Sequence, residues 1–466
     1  MSDERFAEHL QFPTGRGVTP DGSHSGNAGG AVCGDLVRIS VRIDGDRVTA
    51  AGFDASGCGA IVAAGSAAVT LVEGESLLDA ARVSTQAIAA ELGGLSAGKI
   101  HAADLAADAL HRALGAAAAA DAHLPANPLR TLVAMSGGVD SAVAALLTEG
   151  ESIAVTLELW RDEENDEDGS CCSASAVRTA RAVAHRMGMA HLTLDLRDEF
   201  RAGVVMPWLE GHADGETPNP CVRCNGQVRI DAMVAFADRL GAAKLATGHY
   251  AQIGPDGLLR AAADDNKDQT YMLAGLAPAT IARLSFPLGE LHKPDVRRIA
   301  REHDVPVADR AESQDLCFLA GTGRERFLAR HGKLQERPGD LIDRHGTTVG
   351  RHRGAHGFTV GQRRGIGLGG NGAPLYVLST DAQSNTVVVG TRAELGVQIV
   401  RVRAMRLHVG AGEIDAVKLR YRSKAIGCRV DGDRLLLDEP FEGAAPGQTA
   451  VLLRGDSVAG SATISK

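Results

Sequence analysis

A chain of 466 residues is too long for one hydrophobic core and implies two to four domains. Its 44% hydrophobic and 23% charged residues suit a soluble globular protein, and no apolar run reaches the roughly 18 residues of a membrane helix. The start, MSDERFAEHL, lacks the basic-then-apolar order of a secretory signal, so a cytoplasmic location with no membrane partner is expected. The net charge of −9 speaks against a simple phosphate binder, and no DNA partner is expected. Its distribution is uneven: residues 1–125 carry 8 basic and 15 acidic side chains (net −7), residues 331–466 carry 19 and 13 (net +6).

Val37 to Ile43 alternates apolar and polar positions, turns at Asp44-Gly45-Asp46 and resumes through Arg47 to Phe53, which predicts a β-hairpin. A helical pattern follows from Glu75 to Leu114 and merges into the alanine-rich run Ala102 to Ala120. Pro125 and Pro128 mark a linker. Beyond it, the strand-like runs Thr131 to Met135, Ile153 to Leu157, His191 to Leu196 and Ala243 to Thr247 alternate with the helical runs Ser141 to Leu147, Ala174 to Met187 and Val228 to Leu240. That order predicts a parallel sheet flanked by helices. After about residue 331 short strands and frequent glycines predict all-β structure. The expected domains are 1–120, a linker at 121–129, 130–330, a small β domain at 331–395, and a β-barrel at 396–466.

Thr131 to Met135 runs directly into Ser136-Gly137-Gly138-Val139-Asp140-Ser141 at the mouth of a helix. Glycines there let backbone N–H groups approach a phosphate, and a helix amino terminus adds a positive dipole end. The Walker lysine is missing. The loop resembles the SGGxDS loop of PP-loop pyrophosphatases, which cleave ATP to AMP and pyrophosphate and thereby activate a carbonyl oxygen.

Eight cysteines in a reducing compartment point to metal or sulfur chemistry rather than disulfides. Asn219-Pro220-Cys221-Val222-Arg223-Cys224-Asn225 sets two thiols at C-x-x-C spacing just before a helix, where the dipole favours thiolate. Ser313-Gln314-Asp315-Leu316-Cys317-Phe318 supplies a third. Three such ligands suit a [4Fe-4S] cluster with one open iron, or two of them a persulfide relay. Cys171 and Cys172 follow an acidic loop and stay unassigned, and Cys428 reads as a small core residue.

With these stretches, Ala246-Thr247-Gly248-His249-Tyr250, Lys267-Asp268-Gln269-Thr270-Tyr271, Gly361-Gln362-Arg363 and Arg420-Tyr421-Arg422 make seven motifs. From about Arg130 to the carboxy terminus the chain resembles bacterial MnmA-type tRNA-uridine 2-sulfurtransferases. The resemblance implies ATP-dependent, Mg2+-assisted adenylation of the 2-oxygen of wobble uridine, followed by sulfur transfer. It implies ATP contacts at Ala134, Met135, Ser136, Gly137, Gly138, Val139, Asp140 and Ser141, at Leu157, where the family usually has methionine, and at Gly248. It implies tRNA contacts at His249, Lys267, Asp268, Gln269, Gln362, Arg420 and Tyr421. Catalysis falls to Cys317 as persulfide carrier and to Cys224, whose disulfide frees the sulfur; the donor would be a cysteine desulfurase, a sulfur carrier or sulfide. Cys221 stands where many members have aspartate, and a third cysteine favours the [4Fe-4S] arrangement of Cys221, Cys224 and Cys317.

Cys33-Gly34-Asp35, Ser56-Gly57-Cys58-Gly59-Ala60 and Lys99-Ile100-His101 resemble the IscU-type (NifU-type) iron-sulfur scaffold. Cys33, Asp35, Cys58 and His101 match its ligands for an iron-sulfur cluster, iron or zinc, while Ala102 replaces its third cysteine. The expected fold class is therefore multidomain α/β and β: an α+β IscU-like domain, a PP-loop parallel-sheet domain, a small central β domain and a carboxy-terminal β-barrel. Two other readings compete: an iron-sulfur carrier with a nucleotide-regulated partner domain, and a nitrogen-transferring PP-loop ligase, which has no use for the three thiols.

Overall fold

The computed structural model describes residues 2–29, 34–161, 173–311, 316–319, 321–367 and 374–466. The readings placed on Cys33, Cys171, Cys172 and 313–315 lie outside them. The chain forms two units, one of residues 1–197, 232–249 and 283–317, the other of 198–231, 250–282 and 318–466.

The first unit begins with α1 (Ser2–Gln11), β1 (His24–Gly29), β2 (Leu36–Asp44), β3 (Arg47–Ser56), α2 (Gly59–Val72), α3 (Leu77–Ala80), α4 (Thr85–Glu91) and α5 (Ile100–Asp121). The strands form an antiparallel sheet in the order β1-β2-β3, and Gly45 turns the predicted hairpin with a φ of 64°. Along β2, Val37, Ile39, Val41 and Ile43 are buried while Leu36, Arg38, Arg42 and Asp44 face outward. Each buried side chain of this size contributes about 1.5–3 kcal/mol. Ser76 and Ser84 end the intervening loops by accepting N–H bonds from Asp79 and Ala87 at the starts of α3 and α4.

A parallel sheet follows. Its parts are β4 (Asn127–Ala134), α6 (Val139–Leu146), β5 (Glu151–Glu158), α7 (Ala174–Arg186) and β6 (Ala190–Asp195). After α8 (Arg197–Phe200), α9 (Met206–Ala213), α10 (Pro220–Cys224) and α11 (Ile230–Arg239) comes β7 (Ala242–Thr247). Next are β8 (Gln252–Ile253), β9 (Leu259–Arg260), α12 (Thr270–Leu273), α13 (Pro278–Ile281), β10 (Leu284–Ser285) and α14 (Lys293–Glu302). The strand order is β10-β7-β4-β5-β6. Winding proceeds one way from β4 to β6 and the other way from β7 to β10, so a crevice opens past the carboxyl ends of β4 and β7, the usual ligand position in such sheets.

The front segment is bound to this sheet. Helix α5 packs on β1 and β2 with one side and on the edge strand β6 with another. Gly115 allows the approach: a Cβ there would stand 1.9 Å from the Thr193 carbonyl oxygen. Backbone groups of β6 that a sheet edge would leave open are taken up, His191 N–H by Ala81 O at 2.9 Å and His191 O by His111 Nδ1 at 2.7 Å. A buried ion pair joins Arg181 to Asp108, and Arg112 grips both carboxylate oxygens of Glu158. The stretch after α5 is held too, with Ala122 buried and Leu124 N–H donating to Arg239 O.

In the second unit α15 (Arg324–Gly332) precedes β11 (Gly339–Ile342), β12 (Thr348–His352), β13 (Tyr376–Asp381) and β14 (Thr386–Gly390), a sheet of order β12-β11-β14-β13 around Leu341, Val377 and Val387. Then come β15 (Gly396–Leu407), β16 (Ala416–Lys418), β17 (Ile426–Asp431), β18 (Arg434–Glu442), β19 (Thr449–Arg454) and β20 (Ser457–Ile464). They close a six-stranded barrel through the β15–β20 pairing, with Val417, Leu435, Cys428 and Leu452 inside. The β8–β9 hairpin extends that sheet beside β20. Among the described residues no helix is long and apolar enough to cross a membrane.

Candidate active site and metal centre

Strand β4 delivers Ala134 and Met135 to the crevice, and the chain reverses into α6 over Ser136 to Ser141. Gly137 takes a φ of 73°, which favours glycine, and a Cβ on it would meet Ala176 O at 2.7 Å. Gly138 is the N-cap of α6 and brings no side chain to its first turn. Ser141 Oγ donates to Gly138 O at 3.0 Å and accepts from Ser136 N–H at 3.1 Å, so the loop is braced from within. Val139 begins α6 as a buried anchor. Gly248, just past β7, lies against this turn: a Cβ there would be 2.7 Å from Ser141 N and 2.8 Å from Asp140 C. Leu157 is buried near the end of β5, and His249 Nδ1 pairs with Thr247 Oγ1 at 2.8 Å.

Two cations escaped the sequence reading. Lys293 Nζ sits 2.6 and 2.7 Å from the two carboxylate oxygens of Asp140, and Arg310 Nη1 donates to Gly137 O at 2.9 Å. Arg310 also lines a cavity of about 410 Å3 with Thr179 and residues 305–309.

In the second unit the C-x-x-C pair lies on α10 itself rather than before a helix. Asn219 caps it, its side-chain oxygen accepting from Cys221 N–H and Val222 N–H, and Pro220 fits the first turn. Cys221 is half-buried and Cys224 buried, one turn apart on one face. A π-turn over Asn225–Arg229 follows at once, and a second spans Arg201–Val205. Such widened turns free a carbonyl and recur at functional sites. Here Arg223 Nε reaches the Gly203 carbonyl, and Gly203 and Gly226 give room to Val228 and to the Gly275 backbone.

The same unit gathers the residues expected to touch tRNA other than His249, which belongs to the first unit. Gln269 Oε1 accepts from Tyr250 N–H at 3.0 Å, and Tyr421 OH donates to Asp268 O at 3.2 Å. Burial first, then Asp268, raises the Tyr421 phenol above its usual range, with Cys221 adding while Arg422 and Lys267 oppose. Cys221 thus lies within electrostatic reach of that cluster. Arg420 Nη2 donates to the Gly443 and Val360 carbonyls, and Gln362 bridges Thr359 N–H and Arg364 O. Cys317 is half-buried at the end of the first unit. The residue after it, Phe318, packs its ring against Phe200, Trp208 and Phe327 at 5.1–6.0 Å between centroids.

At the front, Asp35, Cys58 and His101 bring three ligand atoms within 4.8 Å of one another. Asp35 Oδ2 is 3.2 Å from both Cys58 Sγ and His101 Nε2. His101 Nδ1 faces Gly98 O at 3.0 Å. Donating that N–H leaves Nε2 to present its lone pair toward the carboxylate and thiol, the arrangement of a metal-bound imidazole. Gly57 is required beside it, because a Cβ would overlap Asp35 Oδ1 at 2.0 Å. The donor set therefore fits zinc or iron. Ala102, fully buried on α5, offers no ligand.

Four family profiles match successive stretches of the chain. A NifU-like N-terminal domain matches residues 1–121, a tRNA methyl transferase HUP domain 129–321, a tRNA methyl transferase PRC-barrel domain 325–391 and an aminomethyltransferase β-barrel domain 402–464. The bifunctional protein NifU/MnmA of Rubrobacter xylanophilus is 42% identical over 97% of this chain and 96% of its own length. The chain belongs to the NifU/MnmA family. Two tRNA-specific 2-thiouridylases MnmA without that full span, from Solibacter usitatus and Corynebacterium kroppenstedtii, are 38% and 41% identical over 73% and 72% of this chain. This chain thus carries, in one unit, the Asp35, Cys58 and His101 cluster and the phosphate loop at the start of α6.

Proposed function

We propose that the protein is an ATP-dependent tRNA-uridine 2-sulfurtransferase, which adenylates the 2-oxygen of wobble uridine and replaces it with sulfur, releasing AMP and pyrophosphate. The observation that carries this reading is the braced Ser136–Ser141 turn closed by Gly248 in the β4–β7 crevice, in a chain matched along its length by a NifU/MnmA relative. Residues Ala134 to Ser141, Leu157 and Gly248 hold ATP, with Mg2+ on its phosphates. His249, Lys267, Asp268, Gln269, Gln362, Arg420 and Tyr421 receive the tRNA; Arg420 supports the loop of Gln362 through Nη2 and offers RNA its other N–H groups.

Sulfur chemistry falls to Cys224 and Cys317 with Cys221. Three thiolates suit a [4Fe-4S] cluster, which when bound would supply one iron open to hydrosulfide. The chain's own contribution is to fix the pair: Asn219 and the first turn orient Cys221, while Cys224 is buried where the π-turn begins. The front cluster passes iron or sulfide equivalents from a desulfurase or a carrier to the three-cysteine site, which free sulfide reaches directly.

Mass spectrometry of wobble uridine from a strain lacking the gene tests the activity: 2-thiouridine is expected to disappear and to return with the intact gene, and its persistence would reject the reading. Anaerobic purification with iron analysis tests the thiols. A colourless, iron-free enzyme with full activity from a persulfide donor would overturn the cluster in favour of a Cys317 persulfide.

A further inference from the structure

The phosphate loop carries no cation of its own, although a nucleoside triphosphate brings several negative charges and its cleavage adds one to the departing pyrophosphate. The structure supplies that cation from 153 residues away. Lys293 places Nζ on both oxygens of Asp140, the second residue of α6. Its position is costly by ordinary rules. It is the first residue of α14, where a positive charge opposes the helix dipole. Only 8% of it is exposed, although Arg298 and Arg301 on the same helix point to water. A lysine buried at the wrong end of a helix, against a phosphate loop, is the kind of local conflict that functional sites retain. Arg310, bonded to Gly137 O, braces the opposite side of the loop.

We propose that Lys293 is a catalytic residue of the adenylation step. In the free enzyme Asp140 holds the ammonium; with ATP bound, the ammonium turns from the carboxylate to the β- and γ-phosphate oxygens. The uridine 2-oxygen then forms a bond to the α-phosphorus, and the bond from that phosphorus to the bridging oxygen breaks. The electron pair goes to pyrophosphate, where Lys293 offsets it, and the uracil N3 proton leaves as the O-adenylyl imidate forms. Charge stabilisation placed where charge develops acts on kcat more than on binding.

This rests on the ATP-dependent reading of the loop, so the wild-type chain is assayed first for tRNA-dependent AMP and pyrophosphate release; no release from wild type overturns both readings. Given wild-type release, Lys293→Met is expected to lower kcat for pyrophosphate release by roughly 10²–10³-fold with the KM for ATP changed less than about threefold, and Lys293→Arg to recover part of it. A Lys293→Met enzyme with kcat within threefold of wild type sinks the proposal alone, as does a loss matched by a fall in thermal midpoint and reversed on cooling. Should the single variant not fold, Lys293→Gln, which keeps a donor for the Asp140 carboxylate but no charge, carries the same test.

Discussion

At the phosphate loop each part is fixed by a neighbour: Ser141 ties Ser136 to Gly138, Gly248 closes the turn from β7, and Lys293 and Arg310 hold its two sides. At the front cluster three donors converge on one point, but the place where the scaffold resemblance leads one to expect a cysteine is filled by the buried methyl of Ala102. Both sites lie in one unit and are joined by α5, whose first turn carries His101 and whose later turns cover β6. The difference teaches that the loop tolerates little change, whereas the front site lacks one expected ligand although α5 still packs on β6.

The comparison breaks most sharply if the joint between the two is broken. Asp108→Ala would strand Arg181 inside the protein, and a loss of about 3–5 kcal/mol is expected in chemical denaturation; a variant as stable as wild type would mean the front segment is a loose passenger. Next in size, Gly248→Ala pushes a methyl into the Asp140–Ser141 backbone. Its tRNA-dependent AMP formation should fall by about 10²-fold with the front site's metal content unchanged, since an ångström of misplacement costs that much.

The joint also gives a pH dependence. His111, His185 and His191 meet there, and burial drives each below its ordinary value, His185 to about 4 at the half-buried end; His185 further depresses His111, His111 and His185 depress His191, and Arg181 adds in all three. A folded-state value below the unfolded one means the unfolded chain binds more protons, so stability is full above about pH 6.5 and declines from there toward pH 4. Denaturation midpoints at pH 7.5 and 5.0 check this, and His185→Gln should flatten the slope. The smallest effect is expected at the front. Cys58→Ser should abolish bound zinc or iron in that segment, measured on a background with Cys221, Cys224 and Cys317 replaced, while Cys58→Ser alone leaves thiolation from free sulfide within about twofold; a large drop would give the front site a direct part in catalysis.

Much of this was legible because it is local. The β2–β3 hairpin, the alanine-rich α5 and the strand-glycine-helix sequence of the phosphate loop each lie in one continuous stretch, where periodicity and turn residues speak directly. Lys293 was not, because Lys293-Pro294-Asp295 reads as an ordinary helix start and its partner is 153 residues earlier. Nor were β8 and β9, two residues each, whose extended form depends on pairing with one another and of β9 with β20. The front half-site was legible by ligand type, but only the fold shows that His101 turns Nε2 toward Asp35.

Helix α5 has a consequence for how such a fused gene can be taken apart. Stand-alone relatives spanning 73% of this chain run without a front segment, yet here the edge of the ATPase sheet hands its own hydrogen bonds to Ala81 and His111. Cutting between 121 and 129 therefore produces something other than a shortened relative: a catalytic domain with a raw edge and an arginine deprived of its partner. The two functions are better dissected by single ligand substitutions within the intact chain, because the boundary in the sequence is not a seam in the protein.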